Sequence, residues 1–123
     1  MEWKFSGGLP VYQQIKKIMR IAVLTGEYPS GSRIPSVRDL AAQARVNPNT
    51  VQRALMELEQ ENIFISGGTS GRYVTSDQKV LAHLRQQEIH DLLADFSGRL
   101  RMLGVTTGEA ADLLRKMDEQ EEI

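Results

Sequence analysis

The sequence has no cysteine, one tryptophan, two histidines and four prolines among its 123 residues. Without thiols there are no disulfides and no thiolate zinc sites, which fits a reducing compartment. No stretch approaches the ~18 consecutive apolar residues of a membrane helix, and Met1 to Gly8 holds no apolar core of signal-peptide length. The expectation is a soluble, cytoplasmic protein with no membrane partner. His83 and His90 are seven residues apart, ~10.5 Å along a helix axis at 1.5 Å per residue. One metal ion does not easily span that distance, so neither a metal nor another cofactor is expected; the pair reads as solvated or interface histidines, with a metal shared across two chains as the alternative. The glycines at 67–71 lack the Gly-Lys-Ser/Thr ending of a phosphate loop. No nucleophile stands beside a base, and no enzyme activity is expected.

What the chain does have is ordinary globular content, 41% hydrophobic, with a net charge of −1. The charge is unevenly placed. Residues 1–76 carry nine Lys/Arg against six Asp/Glu, and residues 77–123 carry six against ten. A basic front and an acidic back suggest two tasks, with any phosphate contact in the front.

The lead-in to residue 9 alternates Trp3 and Phe5 with polar neighbours, as a brief strand or a packed arm does. Pro10 suits the first turn of a helix. Val11, Ile15, Ile18, Met19 and Ala22 follow at helical spacing up to Thr25 and Gly26. Residues 27–35, with Pro29, Gly31 and Pro35, read as a loop. Ser36 caps a short second helix, with Asp39 placed to return the bond, ending near Ala44. Arg45 and Val46 make a tight turn. Asn47 and Pro48 are strong start signals for a third helix, to about Glu61, stapled by Val46 and Val51. Ile63–Ile65 and Arg72–Thr75 read as two strands around a glycine-rich tip. From Asp77 a long helix runs to about Leu103, where Gly104 stops it. Thr106 or Thr107 then caps a last helix, and residues 118–122 read as a frayed acidic end.

Two short helices joined by a tight turn match a helix-turn-helix. The second helix of such a motif enters the major groove, and its first turn approaches base edges. Asn49 and Gln52 carry amides that pair bidentately with adenine, and Arg53 or Arg45 suits guanine or a phosphate. Helix N-termini at Ser36 and Asn47 offer free N–H groups to phosphate. The glycine tip allows close backbone approach, and Arg72 at its base suits a minor groove or a phosphate. The same three helices and hairpin also suit a module that binds protein, with Asn47 and Pro48 acting only as caps.

Residues 31–41, GSRIPSVRDLA, then 46–58, VNPNTVQRALMEL, and 71–74, GRYV, resemble the DNA-binding domain of the GntR family of bacterial transcription regulators. The resemblance covers about residues 10–76. The N-P-N-T-V-Q-R-A run and the brief tail resemble the family's short YtrA-type branch, in which two C-terminal helices dimerise and transporter operons are frequent targets. The resemblance implies DNA contacts from Arg38, from Asn47, Asn49, Thr50 and Gln52, and from Thr69, Ser70, Gly71 and Arg72 in the wing. Two departures matter: many relatives have arginine where this chain has Pro48 and Gln52, and the usual Gly-Lys/Arg-Gly-Thr wing reads Thr69 to Arg72 here.

The tail from residue 77 is too small to enclose much core. Leu84, Leu92, Phe96, Leu100, Leu103, Leu113 and Met117 would leave apolar area for a second copy to bury; packing back onto residues 10–76 is the monomeric alternative. The expected architecture is therefore mainly α: a winged helix-turn-helix over residues 1–76, three helices plus a β-hairpin wing, then a two-helix dimerisation tail over 77–123. The expected function is a homodimeric repressor on a palindromic operator in double-stranded DNA. A small-molecule effector, where one exists, has to act through the hinge near Ser76 or across the dimer interface. The competing expectations are a protein-binding winged helix and a metal-responsive regulator using His83 and His90.

Overall fold

The structure, a computed structural model, describes residues 1–121. The elements follow the expected order: α1 (Val11–Leu24), α2 (Val37–Ala44), α3 (Pro48–Gln60), β1 (Phe64–Ser66), β2 (Arg72–Val74), α4 (Gln78–Met102) and α5 (Thr107–Glu121). A short 3₁₀ turn, Gly68–Ser70, links the two strands. Contacts divide the chain into two compact units, Met1–Arg85 and Gln86–Ile123.

The first unit is built by three amphipathic helices around one core. Ile15 and Met19 of α1, Leu40 of α2, and Val51, Leu55 and Leu58 of α3 are almost fully buried, and Phe64 and Val74 of the strands close the cluster. The caps are local. Ser36 Oγ accepts the Asp39 N–H at 3.1 Å, and Asn47 Oδ1 accepts the Asn49 N–H at 2.8 Å. No return bond from the Asp39 carboxylate accompanies the first cap among the described residues, so the capping box is half formed. Helix α1 begins one residue after Pro10. Residues before it form an arm, with Trp3 and Phe5 stacked on each other and packed on the core. Gln14 holds that arm, donating to the Ser6 and Leu9 carbonyls and accepting from the Ser6 N–H.

The wing is larger than expected. β1 and β2 pair antiparallel, Phe64 opposite Val74 and Ser66 opposite Arg72. Residues 31–34, read from sequence as loop, add a third edge beside β2. Arg33 bridges Tyr73, the Ile34 N–H donates to the Arg72 carbonyl at 3.0 Å, and the Val74 N–H donates to the Ser32 carbonyl at 2.8 Å. Glycine and proline around this stretch mask a segment whose partner lies some forty residues away.

Helix α4 starts on an Asp77 cap, whose Oδ1 accepts the Lys79 N–H at 2.9 Å. Val80, Leu81 and Leu84 pack against the core of the first unit. Leu84 is only 6% exposed. This corrects its grouping with the dimer residues: it is buried inside its own chain and has no surface left for a partner. It also carries the first compact unit past Ser76, to Arg85. Beside Ser76, Thr75 is buried, accepts at its carbonyl from Ser30 Oγ, and takes the Asp77 N–H on its own hydroxyl.

In the second unit the rest of α4 ends at Gly104, with the Val105 N–H bonded to the Leu100 carbonyl. Thr106 caps α5, accepting the Glu109 N–H at 3.1 Å. Ala110 is buried, while Leu92, Leu93, Phe96, Leu103, Leu113 and Met117 are exposed and Leu100 is half-buried. Residues 118–121 continue α5 instead of fraying; Glu122, the last of that expected acidic end, lies outside the described residues.

Candidate nucleic-acid interface

The turn between α2 and α3 is made by Arg45, which sits in the left-handed region at φ 57°, ψ 48°. The Val46 N–H then bonds the Ala41 carbonyl at 3.2 Å, closing α2 and aiming α3. Pro48 stands at the first turn of α3. With Val51, Ala54, Leu55 and Leu58 turned into the core, the opposite face carries Asn49, Arg53, Met56 and Gln60, all exposed, with Gln52 half-exposed beside them. These residues border one shallow groove along α3. Sequence reading picked out Asn49, Gln52 and Arg53 but not Met56 and Gln60. The signal was there, since 49, 53, 56 and 60 repeat at helical spacing.

Neighbouring groups fix the chemistry of this face. Arg53 lies over the Tyr12 ring, 3.6 Å from its centroid, and reaches Glu57 Oε2 at 3.3 Å. Glu57 Oε1 in turn takes Lys16 Nζ at 2.9 Å. Lys16 Nζ also meets Glu61 Oε2 at 2.8 Å, and Arg20 meets Glu61 Oε1 at 2.7 Å. Burial pulls the Lys16 ammonium down, but its bonds to Glu61 and Glu57 outweigh this and leave it above the ordinary lysine range. The Lys16 bond holds Glu57 below the ordinary carboxylate range. Burial pushes Glu61 up, yet Lys16 and Arg20 bring it below that range too. The network clamps α1 to α3 and orients Arg53 from behind.

The other expected contact residues are distributed as follows. Arg38 and Arg45 are exposed and form no ion pair among the described residues; Ser36 and Asn47 are exposed caps. Thr50 is half-buried. In the wing, Thr69 is exposed, and Ser70 Oγ is occupied in donating to the Gly67 carbonyl at 2.7 Å. Gly71, at φ 105°, adopts backbone geometry that other residues rarely reach. Arg72 Nε donates to Glu59 Oε1 at 2.5 Å, with its side chain 19% exposed. The structure thus brings Asn49, Gln52 and Arg53 onto one surface of α3 and ties Arg72 back onto the same helix. His83 and His90 are exposed, and no cluster of three or more His, Cys, Asp or Glu that would hold a metal occurs among the described residues.

Three packed helices, a cationic turn before an exposed polar helix face, and a three-edged hairpin define a winged helix-turn-helix, a DNA-reading fold. A family model, "Bacterial regulatory proteins, gntR family", matches residues 11–74. The chain belongs to that family of DNA-binding, non-enzymatic transcription regulators. It is 28% identical over 119 residues to the uncharacterized HTH-type transcriptional regulator YhcF of Bacillus subtilis, covering 97% of this chain and 98% of that one. It is 40% identical over 70 residues to the HTH-type transcriptional repressor YtrA of the same species, covering 57% of this chain and 54% of YtrA. A solved GntR family transcriptional regulator from Listeria monocytogenes superposes with a TM-score of 0.83 at 31% identity, over 91% of this chain and 98% of that one. No helix among the described residues is long and apolar enough to cross a membrane.

Proposed function

We propose that the protein is a homodimeric repressor that binds a palindromic operator, with the second unit joining two copies. The observation that carries the dimer is the exposed apolar surface of that unit. Leu92 is 62% exposed and Leu103 79%, and Ile89, Leu93, Phe96, Leu113 and Met117 are exposed as well. Surface of this kind on a small helical unit calls for a second apolar surface to cover it, and a two-fold pair buries the same face of both copies. The likeness to the YtrA repressor supports the sign of regulation. Repression would follow from occupancy of promoter DNA by the paired readers.

In this reading α3 enters the major groove. Asn49, Gln52 and Arg53 read base edges, with Thr50 on the flank of the helix, and Arg38, Arg45 and the N–H groups behind Ser36 and Asn47 grip phosphate. Thr69 and the backbone at Gly71 bring the wing tip to the neighbouring groove. The test is selection of binders from a random duplex pool, followed by variants on the selected site. Arg38→Ala is expected to weaken all duplexes alike. Asn49→Ala is expected to relax preference at one position per half-site, by about 1–3 kcal/mol. A palindromic winner supports the dimer; a winner with a single half-site, bound by monomers, refutes it.

A further inference from the structure

The wing holds two arginines, and the pleat sends them to opposite faces. Side chains alternate along a strand, and directly paired residues share a face. Phe64 and Val74 pair on the core side, and so do Ser66 and Arg72. Arg72 therefore reaches α3, where Glu59 neutralises it at 2.5 Å. Ile65, Tyr73 and Arg33 pair on the outer side.

Arg33 is exposed and makes no ion pair among the described residues. Its guanidinium lies across Gly71: a Cβ built there would stand 3.0 Å from Arg33 Nε. Arg33 also borders a shallow groove with Tyr28, Ser36 and Asp39 at the start of α2. Asp39 shares this groove without coming within ion-pair distance. An unpaired guanidinium is thus held between the wing and the start of the helix-turn-helix, over a glycine that lets it lie flat.

We propose that Arg33 is the wing's DNA-contacting cation, taking a backbone phosphate beside the wing, while Arg72 serves to fasten the wing to α3. This rests on the reading of the protein as an operator-binding regulator. A planar guanidinium with free donors suits the bidentate geometry of phosphate oxygens. A phosphate contact is blind to sequence and releases counterions, so it shows in the salt dependence of binding and not in base preference.

The experiment uses the full-length chain and its selected operator, with affinity measured across a salt series for the wild type and for Arg33→Ala, Arg33→Lys and Arg72→Ala. Arg33→Ala is expected to weaken operator and unrelated duplexes alike, by about tenfold, and to make the log–log salt slope shallower by about one per bound protomer. Arg33→Lys is expected to keep the slope. The Arg33 variants should keep the wild-type unfolding midpoint because the side chain is exposed, whereas Arg72→Ala should lower it by releasing Glu59. An unchanged slope in Arg33→Ala, or a slope lost in Arg72→Ala alone, overturns the proposal. A wild-type chain with no salt-dependent duplex binding overturns the regulator reading itself, and the role of Arg33 with it.

Discussion

Arg45 adopts a left-handed conformation that costs an L-residue about 1–2 kcal/mol. Glycine there would remove the clash while giving back part of the gain through its freer unfolded chain. Arg45→Gly is expected to stabilise the protein by about 0.5–1 kcal/mol in thermal unfolding and to weaken DNA binding, because the cation is lost. The α1–α3 ion network makes a second prediction at this scale. Glu57 and Glu61 are held below the ordinary carboxylate value of 4.5, so their contribution is present above that pH and is lost as pH falls through the lowered values. Lys16 is held above 10.5, so its contribution is present below that pH and is lost only as pH rises through the raised value. Urea midpoints should therefore stay level between about pH 5 and 10 and fall on both sides. Glu61→Gln should flatten the acid limb.

Among the elements, α3 is the one whose start was written most plainly, and its cap separates two roles for one residue. Asn47 Oδ1 is committed to the Asn49 N–H, leaving its amide NH₂ free. Asn47→Ala is expected to lose about 1 kcal/mol of stability. Asn47→Asp keeps the cap, since aspartate caps as well as asparagine, but replaces the NH₂ donor with a charge that repels phosphate. Unfolding midpoint and affinity should therefore part company: Asp near wild type in the first and weaker in the second. Helix α4 shows what pattern reading blurs. At about 100° per residue, Val80, Leu81 and Leu84 lie on one side of the helix, whereas Ile89, Leu92, Leu93, Phe96 and Leu100 centre roughly 120° further round. Read as one run, they look like a single interface that includes Leu84. The polar stretch from Arg85 to Glu88 lies where one face gives way to another, and the burial of Leu84 shows that the first face belongs to the chain's own core.

For the whole molecule, the proposed dimer turns two weak readers into one strong one, because the second half-site contact becomes intramolecular. Leu92→Glu combined with Phe96→Glu is expected to give a monomer by sedimentation, with the fold of the first unit intact because neither residue belongs to its core. Operator affinity should fall by about 10²–10⁴, while binding to an isolated half-site stays near wild type. A dimer that survives this double change would place the interface elsewhere.

Local chemistry made much of this protein legible before folding. Asn47-Pro48, Ser36, Gly26 and Gly104 mark helix ends through bonds made within a few residues, and the helical repeat of apolar positions names the buried faces of α2 and α3. The helix order, the turn at Arg45 and the start of α3 all follow from such short-range signals. What needed the tertiary structure are pairings between residues far apart in the chain. Residues 31–34 become a wing edge only against Tyr73, Arg72 is neutralised only once Glu59 stands beside it, and Lys16 meets Glu57 across 41 positions. Pleat parity decides which wing arginine is free, and parity has no meaning until a register exists. A sequence states what each residue offers, whereas folding brings together the partners that use up some of those offers and leave others, such as Arg33, facing outward.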